Sequence, residues 1–150
     1  MSYILSERSR GNLTRVDIRL SNIVRNAIQI TTVDFGVIQG RRTIEEQKIL
    51  VEKGASQTMI SKHLDGLAVD LMVYINGRGA WELNLYDDIA DAIRKSAIEE
   101  NVAIRWGAAW HIPDICKWED SMEGAMSSYI DLRRSEGKRP FIDAPHFELT

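Results

Sequence analysis

Between residues 61 and 74 the chain reads SKHLDGLAVDLMVY, which sets a histidine and an aspartate seven positions apart with a glycine between them. Only three histidines occur in 150 residues, so one placed beside an apolar run invites a chemical reading. Alternation puts Leu67, Val69, Leu71 and Val73 on one face of a strand and Ala68, Asp70, Met72 and Tyr74 on the other. Asp70 is then the one charge inside that run. A buried carboxylate is costly unless it is paired or bound to a cation. His63 lies in the loop feeding the same strand, and Gly66 lets the backbone bend so that both side chains can reach one point. Histidine and aspartate are ligands that zinc accepts. A catalytic zinc takes three protein ligands and leaves a fourth position for water. The third must come from elsewhere in the chain, and His146 is the leading candidate, with Asp143 three residues before it and Glu148 two after. His111 competes, with Cys116 five residues on, although a thiolate favours a structural site. Each residue also has an ordinary reading. A His–Asp pair is often a hydrogen-bonded couple, a lone histidine is often a surface imidazole, and Asp65 suits a turn.

These side chains need elements to carry them. Val16, Leu20, Ile23, Ala27 and Ile30 recur at helical spacing, which predicts one helix over 13–30 with Asn12 as its N-cap. FGVIQG predicts a strand over 35–40. Thr43 and Glu46 form a capping-box pattern and Gly54 follows the last periodic residue, so 44–53 reads as helix and 54–63 as loop. Residues 66–75 read as a strand turned back at NGRG. Leu85, Ile89, Ile93 and Ala97 predict a helix over 84–100; VAIRW is a strand over 102–106; Met122, Met126, Tyr129 and Ile130 predict a helix over 121–135. Residues 141–149 begin as a loop, because Pro145 restrains Ala144, and end as a short strand with His146 and Glu148 on one face. Helices mixed with short strands and tight turns indicate an α+β fold: a small antiparallel sheet with flanking helices and the metal site at the sheet.

Composition narrows the function classes. At 150 residues, one domain over 1–150 is expected, burying ~70% of the surface its unfolded chain exposes. A net charge of −3 gives no global argument for nucleic acid, and no nucleic-acid partner is expected. The charge is uneven: residues 1–42 carry seven arginines against three acids, either a solvated helix face or a surface for an anionic polymer. A lone Cys116 allows no internal disulfide. No stretch reaches the ~20 apolar residues of a membrane helix, and the N-terminal residues lack a signal-peptide core. Synthesis in the cytoplasm without membrane insertion, as a monomer, is the expectation. The four tryptophans are expected to pack in the core, with a cleft lining as the alternative.

SKHLDGLAVDL together with DAPHFEL resembles the zinc-dependent peptidases that include D-Ala-D-Ala carboxypeptidases and dipeptidases and the phage L-alanyl-D-glutamate endopeptidases. Ser61, His63, Gly66, Ala68 and Asp70 fill the first motif without a gap, and Asp143 and His146 fill the second. IQGRRTIEEQKILVEKGAS and IRWGAAW are similar to segments of the phage endolysin branch, so the resemblance runs from about Val37 to Leu149. It implies a hedgehog/D-Ala-D-Ala peptidase-like fold and a Zn2+ held by His63, Asp70 and His146. It further implies Asp143 as general base on the metal-bound water, Arg42 against the polarised carbonyl oxygen and Ser61 at the substrate edge. The implied activity is cleavage of the L-Ala–D-Glu bond in peptidoglycan stem peptides, by an endolysin reaching the periplasmic wall through a holin. The alternatives are a D,D- or L,D-carboxypeptidase of the same family, or a zinc-binding wall-recognition module without catalysis. Glu148 would orient a ligand or be a solvated strand residue. Two departures stand out. Ala108-Ala109 replaces the Gly-Asp common between the two tryptophans, and residues 111–140 lengthen the connection to the last motif, predicting an extra helix at the cleft rim. Whether Arg41 or Arg42 faces the metal is a question of register.

Overall fold

A computed structural model describes residues 2–55 and 61–150. Along the chain run α1 (Glu7–Asn12), α2 (Ile18–Ile30), β1 (Asp34–Gln39), α3 (Ile44–Glu52), β2 (Ala68–Ile75), β3 (Arg78–Ala80), α4 (Leu83–Glu100), β4 (Ile104–Trp106), α5 (Met122–Ser135) and β5 (His146–Leu149). Short 3-10 turns sit at Lys62–Asp65 and Ile115–Lys117. The expected α+β class holds: all strand pairs are antiparallel, in the order β1-β2-β5-β4, with β3 paired to β2. Part of the predicted 54–63 loop, residues 56–60, lies outside the described residues.

One prediction fails at the N-terminus. The expected single helix over 13–30 is two helices, and Asn12 ends the first rather than capping the second. Asp17 caps α2 by accepting the Arg19 N–H. The break has a structural use. Asn12 Nδ2 donates to Val37 O at 2.7 Å and Ser9 Oγ accepts the Val37 N–H at 2.9 Å. The short α1 thus satisfies backbone groups of β1, which would otherwise be an open sheet edge.

The core lies between the sheet and the helices. Leu20, Ile23, Val24 and Ala27 of α2, Ile89 and Ile93 of α4, and Val69, Leu71 and Val73 of β2 are fully buried. Each such Leu, Ile or Val contributes roughly 1.5–3 kcal/mol on leaving water. Ser96 ties α4 to α2 by donating to Ile23 O at 2.7 Å. The face of β2 bearing Asp70, Met72 and Tyr74 is only half-buried, as the alternation predicted. Asn76-Gly77, both at positive φ, turn β2 into β3. The pairing of β1 with β2 slips between Val37 and Gln39, so that Gln39 stands opposite Asp70. A bulge adds a residue to one strand and re-aims its neighbours. It lies beside the one acidic residue of β2.

Candidate metal centre

Three pieces of chain converge at Asp70. The first is the 3-10 turn Lys62–Asp65. Ser61 Oγ accepts the His63 N–H at 3.2 Å and so caps that turn, and Gly66 ends it at φ +71. A Cβ on Gly66 would also lie 2.6 Å from Arg15 O, so glycine is demanded twice. The second is β2, which carries Asp70. The third is β5, where His146 stands directly across the ladder from Asp70. The turn before it is locked from inside the sheet: Asp143 N–H donates to Gly107 O, Gly107 N–H donates to His146 O, and Trp106 Nε1 donates to Ala144 O, each at 2.8 Å. A Cβ on Gly107 would lie 2.2 Å from Asp143 O, so only glycine lets the turn approach this closely.

His63, Asp70 and His146 each present one ligand atom, and the three atoms lie within 4.8 Å of one another. His63 is buried, and its Nδ1 sits 2.8 Å from Gly40 O. That carbonyl accepts the ring proton, which leaves the Nε2 lone pair facing the site. Nε2 lies 3.3 Å from Asp70 Oδ1 without hydrogen-bond geometry, and has no hydrogen-bond partner among the described residues. His146 Nδ1 lies 3.2 Å from Asp70 Oδ1, while its Nε2 lies 2.8 Å from Glu148 Oε1. Glu148 is buried and also pairs with Lys62 Nζ at 3.2 Å. It is therefore no solvated strand residue; it fixes the His146 ring. An orphaned imidazole nitrogen and two further N and O donors, each ring held by an outer acceptor, fit a tetrahedral metal with one position left over.

Electrostatics agree with this geometry. Burial pushes the Asp70 carboxyl up, but His146 and His63 outweigh it and hold it well below the usual carboxylate range. Burial pulls His146 down, yet Asp70 and Glu148 lift it to about 9. The gap between His146 Nδ1 and Asp70 Oδ1, 3.2 Å apart, thus favours a positive charge. Burial, then Asp70, raises the Asp143 carboxyl, against the pull of His146, His63 and Arg42. Asp143 is thus close enough to feel all four charged groups of the site.

The register question resolves in favour of Arg42. Its Nη2 lies 3.4 Å from Asp70 Oδ2, and its Nη1 donates to Gln47 Oε1 at 2.8 Å. Gln47 is fully buried in α3; no sequence signal marked it, because one polar residue on an amphipathic helix is unremarkable. Arg41 points elsewhere, donating from Nε to Leu64 O at 3.1 Å. His111 does not join the triad: its Nε2 faces Ser128 Oγ at 3.0 Å. Cys116 is a packed, half-buried thiol that burial pushes up to about 12. Ala108 and Ala109 are fully buried. Trp106 is core, whereas Trp110 sits 5.3 Å from the His146 ring with the exposed Phe141 stacked on it at 6.3 Å. The predicted extra helix is α5, whose Tyr129 hydroxyl accepts the Phe141 N–H at 3.2 Å and holds that rim.

An α+β sheet carrying a His–Asp–His triad, with an acid and an arginine beside it, has the layout of a metal-dependent hydrolase. Comparison with known proteins narrows the class: the chain belongs to the phage L-alanyl-D-glutamate peptidase family, which it matches over residues 1–150. It is 30% identical to the L-alanyl-D-glutamate peptidase of Escherichia phage T5, over 99% of each chain. Its structure is similar to that of the Serratia marcescens L-Ala D-Glu endopeptidase ChiX, with a TM-score of 0.72 and 31% identity, covering 98% of this chain and 90% of that one. Among the described residues no helix is long and apolar enough to cross a membrane.

Proposed function

We propose that the chain is a zinc-dependent endopeptidase that hydrolyses the L-Ala–D-Glu bond of peptidoglycan stem peptides and serves as a phage endolysin. His63, Asp70 and His146 would hold the zinc. When bound, such an ion lowers the pKa of its water to ~7 and polarises the scissile carbonyl. The protein's own groups do the rest. The Gly40 carbonyl and the Glu148 carboxylate hold the two imidazoles in the orientation that aims Nε2 of His63 and Nδ1 of His146 at the site. Asp143 takes the proton of the attacking water and delivers it to the leaving amine. Its half-buried position beside cations of the site suits a carboxylate that must change protonation twice. Arg42, tethered by Gln47, offsets charge developing on the carbonyl oxygen. Ser61 contacts the substrate at the edge of the metal while its oxygen caps the turn that carries His63.

The observation that carries this reading is the convergence of His63, Asp70 and His146 within 4.8 Å in a chain of this family. The protein works as a monomer, is made in the host cytoplasm and reaches the wall through a holin. Digestion of purified sacculi tests the activity. A new D-Glu amino terminus without free D-Ala is expected; release of D-Ala instead would identify a carboxypeptidase, and no product at all would leave a binding module.

A further inference from the structure

Next to the triad, and sharing Arg42 with it, lies a groove that the chemistry above leaves without a role. Its volume is about 740 Å3, within the range of small-ligand sites, and its lining includes Arg15, Arg41, Arg42, Glu46, Leu64 and Asp65. Arg42 belongs to both places: its N–H donates to His63 O at 2.9 Å while its guanidinium reaches Asp70. The groove therefore adjoins the triad through Arg42. Three arginines line it against two acidic residues. Of these acids, Glu46 is committed to its own helix, accepting the Thr43 N–H at 3.3 Å.

Arg41 is exposed but not loose. Its Nε donates to Leu64 O at 3.1 Å, which ties the guanidinium to another residue of the groove lining. Its two terminal nitrogens bond to no protein group among the described residues. A fork held by one hydrogen bond and open at its other face is suited to bidentate capture of a carboxylate. The other cations near the triad are already engaged. Lys62 pairs with Glu148, and Arg105 donates to Trp110 O and lies over the indole ring, 5.4 Å from its centroid.

A glutamate joined through its amine to L-alanine, and through one carboxyl group to the rest of a peptide, keeps its other carboxyl free and ionised at neutral pH. We propose that the groove binds this free carboxylate of the D-glutamate on the leaving side of the scissile bond, with Arg41 as the residue that specifies it and Arg15 as a second cation. The assignment rests on the endopeptidase reading and fixes the direction in which the substrate lies. D-Glu runs toward Arg41, and the L-alanyl side runs toward Trp110 and Phe141.

The test measures binding of γ-D-glutamylglycine amide, whose only carboxylate is the α one, and of its α-carboxamide, by calorimetry on metal-loaded protein. Wild type is expected to bind the acid about tenfold more tightly than the amide, a difference near 1.4 kcal/mol. Arg41→Gln brings the ratio close to one, and Arg15→Gln lowers it part of the way. Both residues are exposed, so neither substitution disturbs the core. A ratio near one in wild type, or a ratio that survives both substitutions, overturns the assignment. Cleavage of the same two compounds extended by L-alanine keeps the two readings apart. Failure to release a D-glutamyl amine sinks the endopeptidase reading, while the binding ratio still judges the groove.

Discussion

Asp70 and Asp87 both lose water when the chain folds, and the groups that replace the water differ in sign. Around Asp70 stand His146, His63 and Arg42, and the carboxyl stays ionised despite burial. Around Asp87, on α4, burial is compounded by Glu123, Asp88 and Asp91, and the carboxyl is pushed up to about 6. Asp87 Oδ1 is buried with no hydrogen-bond partner among the described residues. Acidity alone therefore does not mark a metal site. The acidic patch brings together like charges on two helices, with no imidazole among them. The triad brings nitrogen and oxygen donors from three separate elements to one gap, and among the described residues no other group of three does so. A sheet ladder can impose that convergence because its register is fixed; Asp70 and His146 are paired residues.

The sharpest way to break the contrast is to remove each aspartate in turn. Asp70→Ala is expected to drop bound metal from about one ion per chain to near none, with loss of sacculus hydrolysis, while Asp87→Ala keeps both. Elemental analysis after desalting, beside a lysis assay, reads both outcomes; metal retained by Asp70→Ala would remove the triad from the mechanism. Next in size, Asp143→Ala is expected to slow hydrolysis by ~10²–10⁴ with metal content unchanged. Equal rates for that variant and wild type would strip Asp143 of the role of base. Glu148→Gln should weaken metal affinity by ~10–100-fold, because the His146 ring loses its charged anchor. Competition with a chelating dye measures it.

Protonation sharpens the comparison further. His146 is raised from 6.5 to about 9, so it is protonated at neutral pH in the metal-free protein. A raised folded-state pKa gives stability that is fully present below about pH 6.5 and lost as pH rises through about 9. Metal-free protein should therefore lose thermal stability across that window. Loading at pH 7.5 should release roughly one proton per ion. Calorimetry in buffers of different ionisation heat counts it, and a count near zero would mean that the Asp70–His146 proton does not stand in the metal's place.

Much of this centre was legible in the residue string. His63, Gly66 and Asp70 lie within eight positions, and the alternation around Asp70 predicted the face it occupies. His146 could be named from the residues only as the leading third ligand, and Asp143 took its role only from the family motif, since nothing in residues 71–142 dictates that β5 returns beside β2. The α1–α2 break was hidden because apolar spacing through Val16 continues the pattern of α2, whereas the break is imposed by Asn12 and Ser9 reaching Val37. Gln47 was hidden for a similar reason. It accepts from Arg42, and Arg41 and Arg42 differ in the sequence only by one step of register. The ordinary role of His111 became visible only once α5 placed Ser128 against it.

The smallest expected effect concerns the acidic patch itself. The Asp87 carboxyl is raised from 3.8 to about 6, so its charge opposes folding above about pH 6, and that cost is relieved as pH falls toward 4. Asp87→Asn should raise the melting temperature by about 1–2 °C at pH 7.5, and by distinctly less at pH 4, where the folded-state carboxyl is already neutral. The gain is modest because the side chain is only half-buried and water screens its neighbours. Added salt should shrink it further at pH 7.5, since repulsion from Glu123, Asp88 and Asp91 forms part of the cost. A gain of equal size at both pH values would assign the effect to packing rather than charge. The contrast with Asp70 would then rest on hydrogen bonding alone, because the like-charge repulsion that distinguishes the α4–α5 patch would have no measurable weight.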